Sequence, residues 1–443
     1  MLIVFLHDQV KTMFKEFFRV FLLLQIVLIA AGLSAKAQAP ANDTLKLTVK
    51  QAEDMFLKNN LQLIAQHYNI GIAEAQVITA KLFPNPDFNV STGFYDQNTH
   101  RFFDYSAGQD EYAGGISQLF TTAGKRNKNI QLAVIGVEQA KYQFYDLLRT
   151  LRASLRNDFF TIYFQQQSAK VYDTEISTLQ KILKAYKEQN AKGNIAEKDV
   201  LGIQSQLYSL QAELASLMVG IDGSISQLQL LIRAKPGTYL ETEYDYQLDG
   251  KDVLATVPYQ KLLDSAYTNR YDLRLAKSAV EYNDMNLKYQ KALAVPDFNL
   301  SMGYDKRGSY VLNYNSLGLE FNLPFFNRNQ GGIKQAKIAI DQGKVQLQGQ
   351  QDQVDNDISV NYLMASRYEK LSNSFDPKFK GDFTHLIDEV VKNYQVRNIG
   401  LIEFLYFYDS YKVNAVQLNN IQLSRVTALE QLNYVTGTPF FNQ

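Results

Sequence analysis

The chain has 443 residues, with 45 basic and 45 acidic side chains, 28 tyrosines, 27 phenylalanines and neither cysteine nor tryptophan. Balanced charge leaves no electrostatic footprint for nucleic acid, and the lack of cysteine excludes disulfides and thiolate metal sites. A mean hydropathy of −0.24 excludes a bundle of membrane-spanning helices.

Residues 1–37 read as a signal peptide. Lys11, Lys15 and Arg19 precede the apolar run Val20–Leu33, and Ser34-Ala35-Lys36-Ala37-Gln38 supplies small residues for cleavage after Ala37. The alternative is an N-terminal anchor, for which the run is short; Met1 and Met13 are alternative starts. No cysteine follows the site, so no lipid is attached there.

A polar linker, 38–44, leads into a first repeat, 45–236. Leu45–Phe83 is predicted as one helix, capped by Thr48, with Ala52, Phe56, Leu63, Ile70, Ala73 and Val77 at helical spacing and Pro84 and Pro86 ending it. A strand is predicted at about 87–95, because Phe88, Val90, Thr92 and Phe94 alternate with Asn89, Ser91 and Gly93. A polar loop to Glu111 and a second strand, 112–120, follow. Gly124-Lys125-Arg126 opens a helix without proline to about Ala191, roughly 100 Å at about 1.5 Å per residue. Lys192-Gly193-Asn194 turns the chain into a return helix, ended by Pro236. There Val200, Ile203, Leu207, Leu210, Leu214 and Leu217 keep the three-four spacing of a coiled-coil seam.

A linker, 237–257, separates this repeat from a second, 258–437, followed by a tail, 438–443. Pro86-Asp87-Phe88 returns as Pro296-Asp297-Phe298, an offset of 296 − 86 = 210. The second repeat reads as a helix over Tyr259–Leu293, strands at about 297–304 and 314–323, and a long helix from the Asn327-Arg328 exit to about Leu371. An interruption, Asp376–Gly381, contains Pro377. A further helix reaches Arg397, Asn398-Ile399-Gly400 turns, and Leu401–Thr436 returns. A duplication near 200 residues is a repeated domain rather than a solenoid.

Four strands are too few to close a barrel, which needs about eight, and open edges cannot face lipid. The strands must pair with other chains or cover a helix layer in a soluble domain. Their polar residues, Asn89, Ser91, Asn299, Ser301, Ser316, Glu320 and Asn322, suit a water-filled lumen better than a helical core. The alternate set, Phe88, Val90, Phe94, Phe298, Leu300, Met302, Leu317, Leu319 and Phe321, suits lipid. The long helices read as water-exposed coiled coils, with Lys, Glu and Gln on their outer faces.

The doubled helix–strand–strand–helix–helix plan, the Pro-Asp-Phe strand starts, the Gly124-Lys125-Arg126 and Asn327-Arg328 exits and the glycine-containing tips at Gly193 and Gly400 resemble the TolC-type outer-membrane efflux proteins over nearly the whole mature chain. The resemblance implies a mainly α fold with a membrane β-barrel portion. Each chain of a homotrimer would contribute four strands to a twelve-stranded barrel above a long coiled-coil α-barrel tunnel. It implies an exit duct in the bacterial outer membrane with its helical tunnel in the periplasm. The duct would contact outer-membrane lipid and dock to a periplasmic adaptor (membrane fusion) protein and an inner-membrane pump of the RND type. Size and short linkers resemble the metal-efflux branch, cobalt–zinc–cadmium or copper; the interruption at Pro377 departs from the pattern and is placed near the tunnel's equator. The outer channel of a type I protein secretion system and, from another class, a soluble periplasmic coiled-coil adaptor or scaffold are the alternatives.

Mapped onto this sequence, the resemblance puts adaptor docking and the closing aperture at two tips, Gly193, Asn194, Ile195 and Asp199, and Asn398, Ile399, Gly400 and Glu403. Simple turn chemistry and solvated helix charge explain the same residues. Lys125, Arg126 and Arg328 read either as interfacial cations or as helix-surface charge; Phe120, Phe325 and Phe326 read as an aromatic girdle or as core. His67, His100 and His385 are isolated, with no metal-ligand spacing, and no phosphate loop or nucleophile elbow occurs. Neither an enzyme nor a cofactor is expected, and no nucleic-acid partner.

Overall fold

The computed structural model describes residues 43–97, 99–104, 111–244, 252–307, 311–376 and 378–441. The leader, the cleavage site and Pro377 lie outside the described residues. The chain forms two compact units, Met1–Lys46 with Ala234–Glu241, and Leu47–Arg233 with Thr242–Gln443. β1 (Thr44–Thr48) pairs with β6 (Tyr239–Glu243), and within the small unit the Tyr239 N–H donates to the Asp43 carbonyl at 2.9 Å.

The large unit follows the doubled plan. First come α1 (Val49–Asn59), α2 (Leu61–Lys81), β2 (Asp87–Thr92), the short strands β3 (Tyr95–Asp96) and β4 (Arg101–Phe102), β5 (Tyr112–Phe120), α3 (Lys125–Ala191) and α4 (Glu197–Ile232). A 3-10 turn, Leu254–Thr256, precedes α5 (Tyr259–Asn269), α6 (Tyr271–Leu293), β7 (Phe298–Asp305), β8 (Tyr314–Phe321), α7 (Gln330–Asn373), α8 (Phe379–Gln395) and α9 (Leu401–Thr436).

Several expected boundaries are corrected. Leu45–Thr48 is strand, and the single helix to Phe83 is two helices parted at Asn60. Asn60 adopts extended φ/ψ of −66/118°, its Oδ1 accepts the Leu63 N–H at 3.0 Å, and its amide donates to the Leu231 carbonyl at 3.0 Å. A buried cap of this kind ends one helix and starts the next without proline. The expected helix Tyr259–Leu293 parts in the same way at Arg270, and 270 − 60 = 210 repeats the strand offset. Arg270 is 4 % exposed; it holds the break by pairing with Asp357 at 2.8 Å and Asp272 at 2.6 Å. The return helix α4 ends at left-handed Arg233, before Pro236. The linker 237–257 is not featureless, since it carries β6 and the 3-10 turn.

The strands form one antiparallel sheet in the order β2-β5-β7-β8. Its register carries the faces across all four strands: Phe88, Ile116, Met302 and Leu317 lie in one row, and Phe120, Phe298 and Phe321 in another. On the opposite face, Ser117, Ser301 and Gly318 share a row, as do Asn89, Gly115, Gly303 and Ser316. A Cβ added at Gly115 would come 2.7 Å from Asn89 Oδ1, so the glycine makes room for the asparagine. Two residues of β5 break the pattern: Gln118 joins the apolar rows and Leu119 the polar ones, which explains why its alternation is weak in sequence. Phe94 and Asn322, expected within strands, lie just outside them, because β2 stops at Thr92 and β8 at Phe321. The loop after β2 folds back as the β3–β4 hairpin, where Phe94 meets Phe102 and Phe103 edge-on at 5.2 and 5.6 Å. The span from Phe88 to its partner Ile116 is 116 − 88 = 28 residues, whereas Phe298 to Phe321 is 321 − 298 = 23, so the first connection is five residues longer.

α3 runs unbroken for 67 residues, about 100 Å. Its counterpart is interrupted after Asn373 and resumes at Phe379. Four residues before the interruption, Glu369 accepts the Val253 N–H at 2.8 Å and pairs with Arg425 at 2.7 Å, so the break adjoins the level of the 252–257 segment. One core cluster joins α5, α6, α7 and α9 through Leu262, Leu273, Ile358, Leu429 and Leu432. Another joins both coiled coils, with Leu179, Ile182, Ile203 and Leu210 of the first repeat against Val390, Tyr394, Phe404 and Tyr408 of the second.

α4 departs from the charged outer face expected of it. Its Leu201, Tyr208, Val219 and Leu230 are each more than half exposed.

Candidate functional site

Neither face of the four-stranded sheet is covered by the helices. Phe88, Val90, Met302, Leu317 and Leu319 are each more than half exposed, at 74, 68, 61, 73 and 58 %. The sheet therefore does not roof a helical core, the arrangement a soluble domain would require, and its apolar face is a contiguous unpartnered patch. The opposite face carries Asn89, Ser91, Ser301 and Ser316, and Glu320 stands opposite Asn299 in the register. Asn322 follows the end of β8.

At the foot of the sheet the second Pro-Asp-Phe acts as a clamp. The Thr122 N–H donates to Asp297 Oδ1 at 2.7 Å, Thr122 Oγ1 donates to the Pro296 carbonyl at 2.7 Å, and Lys125 Nζ lies 2.7 Å from Asp297 Oδ1 and 2.6 Å from the Val295 carbonyl. Burial alone pushes the Asp297 carboxyl up, but the hydrogen bonds from Lys125 and Thr122 outweigh it and hold it below the usual carboxylate range. Lys125 is buried rather than a helix-surface charge, and it locks the β5 exit to the start of β7. Arg126 instead lies over the Phe83 ring at 4.1 Å and donates to the Lys81 carbonyl. Phe120 stacks on Phe298 at 5.1 Å, while Phe325 and Phe326 are exposed.

The two tips are built alike. The Asn194 N–H donates to the Gln189 carbonyl at 3.0 Å and the Asn398 N–H to the Asn393 carbonyl at 2.9 Å, and each Asn amide also donates to the matching side chain, at 2.8 and 3.0 Å. The offset is 398 − 194 = 204, which pairs Gly193 with Arg397, Ile195 with Ile399 and Asp199 with Glu403. Gly193 is left-handed, with φ of 75°. In the second tip the left-handed residue is Arg397, with φ of 63°, and Gly400 is an extended helix cap, with φ of −83°. The glycine expected to make that turn does not make it. Ile195 and Ile399 pack on the shared coiled-coil core, and Asn194, Asn398 and Glu403 are exposed. Behind the tips Tyr186, Tyr394, Phe404 and Tyr408 stack in succession, at 5.4, 4.2 and 5.1 Å.

A cavity of about 800 Å³ that sequence reasoning missed lies between α1, α3 and α9, lined by Arg149, Arg152, Arg156 and Tyr434 among others. Arg156 is neutralised by Glu430 and Glu53 at 2.8 Å each, and Arg149 by Asp146 at 2.6 Å. The spacing of three arginines along one helix was its only trace in sequence. Among the described residues no group of three His, Asp or Glu side chains is arranged to hold a metal ion.

An open four-stranded sheet set on paired helical hairpins is the fold of outer-membrane channels. The chain superposes on the outer membrane channel CmeC of Campylobacter jejuni with a TM-score of 0.69, covering 88 % of this chain and 86 % of that one at 14 % identity. It superposes on the outer membrane protein VceC of Vibrio cholerae with a TM-score of 0.66, covering 89 and 97 % at 15 % identity. In sequence, residues 53–231 match the family model described as outer membrane efflux protein. The cobalt-zinc-cadmium resistance protein CzcC of Cupriavidus metallidurans is 21 % identical over 330 residues, 74 % of each chain. The sequence is thus similar to the outer membrane efflux proteins over residues 53–231, and the fold is similar to that of outer-membrane channels over nearly nine-tenths of the chain.

Proposed function

We propose that the chain is the exit duct of a tripartite efflux system, a homotrimer in the bacterial outer membrane. It conducts cargo passively from a periplasmic adaptor and an inner-membrane RND-type pump, which supplies the energy. The exposed apolar face of a four-stranded sheet with two open edges carries this reading. Only further copies can satisfy both edges in lipid. The apolar face of α4 fits the same arrangement, as a helix surface buried between subunits of the tunnel. The two tips are the adaptor-docking ends, with Asp199 and Glu403 as the acidic pair nearest the aperture. The polar rows around Asn299, Ser301 and Glu320 line the lumen.

Likeness to CzcC favours divalent metal cations as cargo. The duct needs no metal site of its own, because a passive conduit for a cation requires only a polar, weakly acidic lining. Type I protein secretion is the competing cargo class. The test is a deletion strain complemented with the intact gene. We expect sensitivity to cobalt, zinc or cadmium in the deletion strain alone, and restored tolerance with a protease-resistant trimer in the outer-membrane fraction on complementation. A monomer in the aqueous fraction would overturn the duct; a strain that tolerates these metals but fails to export a protein would overturn the cargo.

A further inference from the structure

The two free edges of the sheet, β2 and β8, are related by the internal repeat to two strands that already pair inside the chain. β7 corresponds to β2 at an offset of 297 − 87 = 210. Phe88 pairs with Ile116 and its counterpart Phe298 with Phe321, so β8 corresponds to β5 at an offset of 321 − 116 = 205. The β5–β7 contact is thus the internal copy of a contact that β8 can make only with the β2 of another chain. Applying both offsets to the observed pair Phe120 and Phe298 gives Phe325 opposite Phe88, and hence Leu323 opposite Val90 and Asn322 opposite Ser91. The faces agree at Phe325 with Phe88, Leu323 with Val90 and Asn322 with Ser91, and only Pro324, opposite Asn89, departs from the pattern, as Leu119 does opposite Asn299 in the internal junction.

The side chains at these edges match what the internal junction uses. Phe120 stacks on Phe298; Phe325 and Phe88 are 69 and 74 % exposed. Asp297 is clamped by Thr122 and Lys125; its counterpart Asp87 is exposed and makes no ion pair within the described chain. The counterpart of Thr122 is Asn327. The position of Lys125 is taken by uncharged Gln330, but the neighbouring Arg328 is an exposed guanidinium without an acidic partner among the described residues. Each edge therefore holds one half of an aromatic stack and one half of an ion pair.

We propose that the subunit seam is a replica of the β5–β7 junction, in which β8 of one copy pairs antiparallel with β2 of the next, Phe325 stacks on Phe88 and Arg328 clamps Asp87. The partner is a second copy of this chain, and the seam rests on the duct reading above. Register and clamp are one device: a slip of one residue would set polar rows against apolar ones and part the charges.

The chain's lack of cysteine makes the seam directly testable by disulfide trapping in the full-length protein in membranes. Ser91→Cys with Asn322→Cys is expected to give a covalent trimer on mild oxidation. Either single substitution, and the shifted pair Val90→Cys with Asn322→Cys, should give none. In a second arm, Asp87→Arg and Arg328→Asp should each lose the heat-resistant trimer, and the double exchange should restore it. Outer-membrane trimers that crosslink only in the shifted register, or charge exchanges that fail to rescue each other, would overturn the seam while leaving the duct intact. Absence of any membrane trimer in the unmutated protein would instead overturn the duct reading.

Discussion

Glu175 shows how much one side chain can set. It lies in the middle of α3 at 2 % exposure, and neither carboxylate oxygen has a hydrogen-bond partner. Burial pushes its carboxyl up to about 8; Lys412 opposes the shift, but that ammonium is already paired with Glu213 at 2.9 Å and Asp409 at 3.0 Å, and both acids add to it. From the ordinary value of 4.5 up to about 8, the folded chain holds a proton that the unfolded chain has lost. Stability therefore falls as pH rises through that window, and is unaffected by this group below it. Glu175→Gln should raise the melting temperature at pH 8, by the equivalent of about 1–3 kcal/mol for relieving a buried unpaired group, and leave it unchanged near pH 4. An equal gain at both pH values would show that titration plays no part.

At the scale of elements, the tips separate what the chain's turns require from what its composition advertises. Left-handed backbone costs a non-glycine residue about 1 kcal/mol. Arg397→Gly should therefore stabilise the second tip by roughly 0.5–1 kcal/mol, and Gly193→Ala should destabilise the first by a similar amount. Hydrogen exchange at Asn398 and Asn194 would read both effects locally. The same contrast explains which elements were legible in the sequence. Long apolar periodicity makes α3 and α9 legible nearly end to end, and Thr48, readable as a cap, forms a capping box with Gln51. The breaks at Asn60 and Arg270 were not readable, because one extended residue barely shifts the apolar spacing on either side. At Arg270 the stabilising acid, Asp357, comes from a helix 87 residues away. Gly400 misled for a different reason. Glycine permits a left-handed turn but does not compel one, and the hydrogen bonds from Asn398 fix the turn at Arg397, three residues earlier. The strand faces were legible because alternation is local; the tyrosine and arginine cavity was not, since it exists only when three distant helices meet.

For the whole molecule, the decisive quantity is the difference between the two faces of the sheet. Leu317→Arg puts a charge on the face assigned to lipid, which costs about 2–4 kcal/mol at mid-membrane. We expect loss of the protein from the outer-membrane fraction. Ser316→Arg, one residue away on the other face and opposite Gly303, should assemble normally and change only conduction. Equal behaviour of the two variants in fractionation would refute the assignment of faces. The periodicity of the helices foretold the coiled coils, but the exposed stripe on α4 became visible only in three dimensions, because it lies outside the seam that defines the hairpin.

The five extra residues between β2 and β5 bear on how a cell carrying this protein is met from outside. In the ring of three copies proposed above, long and short connections would alternate around the rim, so a structure close to sixfold in its strands would become threefold where it is displayed. The long connections carry the β3–β4 hairpin and its cluster of Phe94, Tyr95, Phe102 and Phe103, whereas the short ones have no second hairpin among the described residues. An antibody or a phage adhesin approaching the surface would find three identical aromatic knobs in a triangle, a handle for trivalent capture that the inner workings of the duct neither need nor constrain.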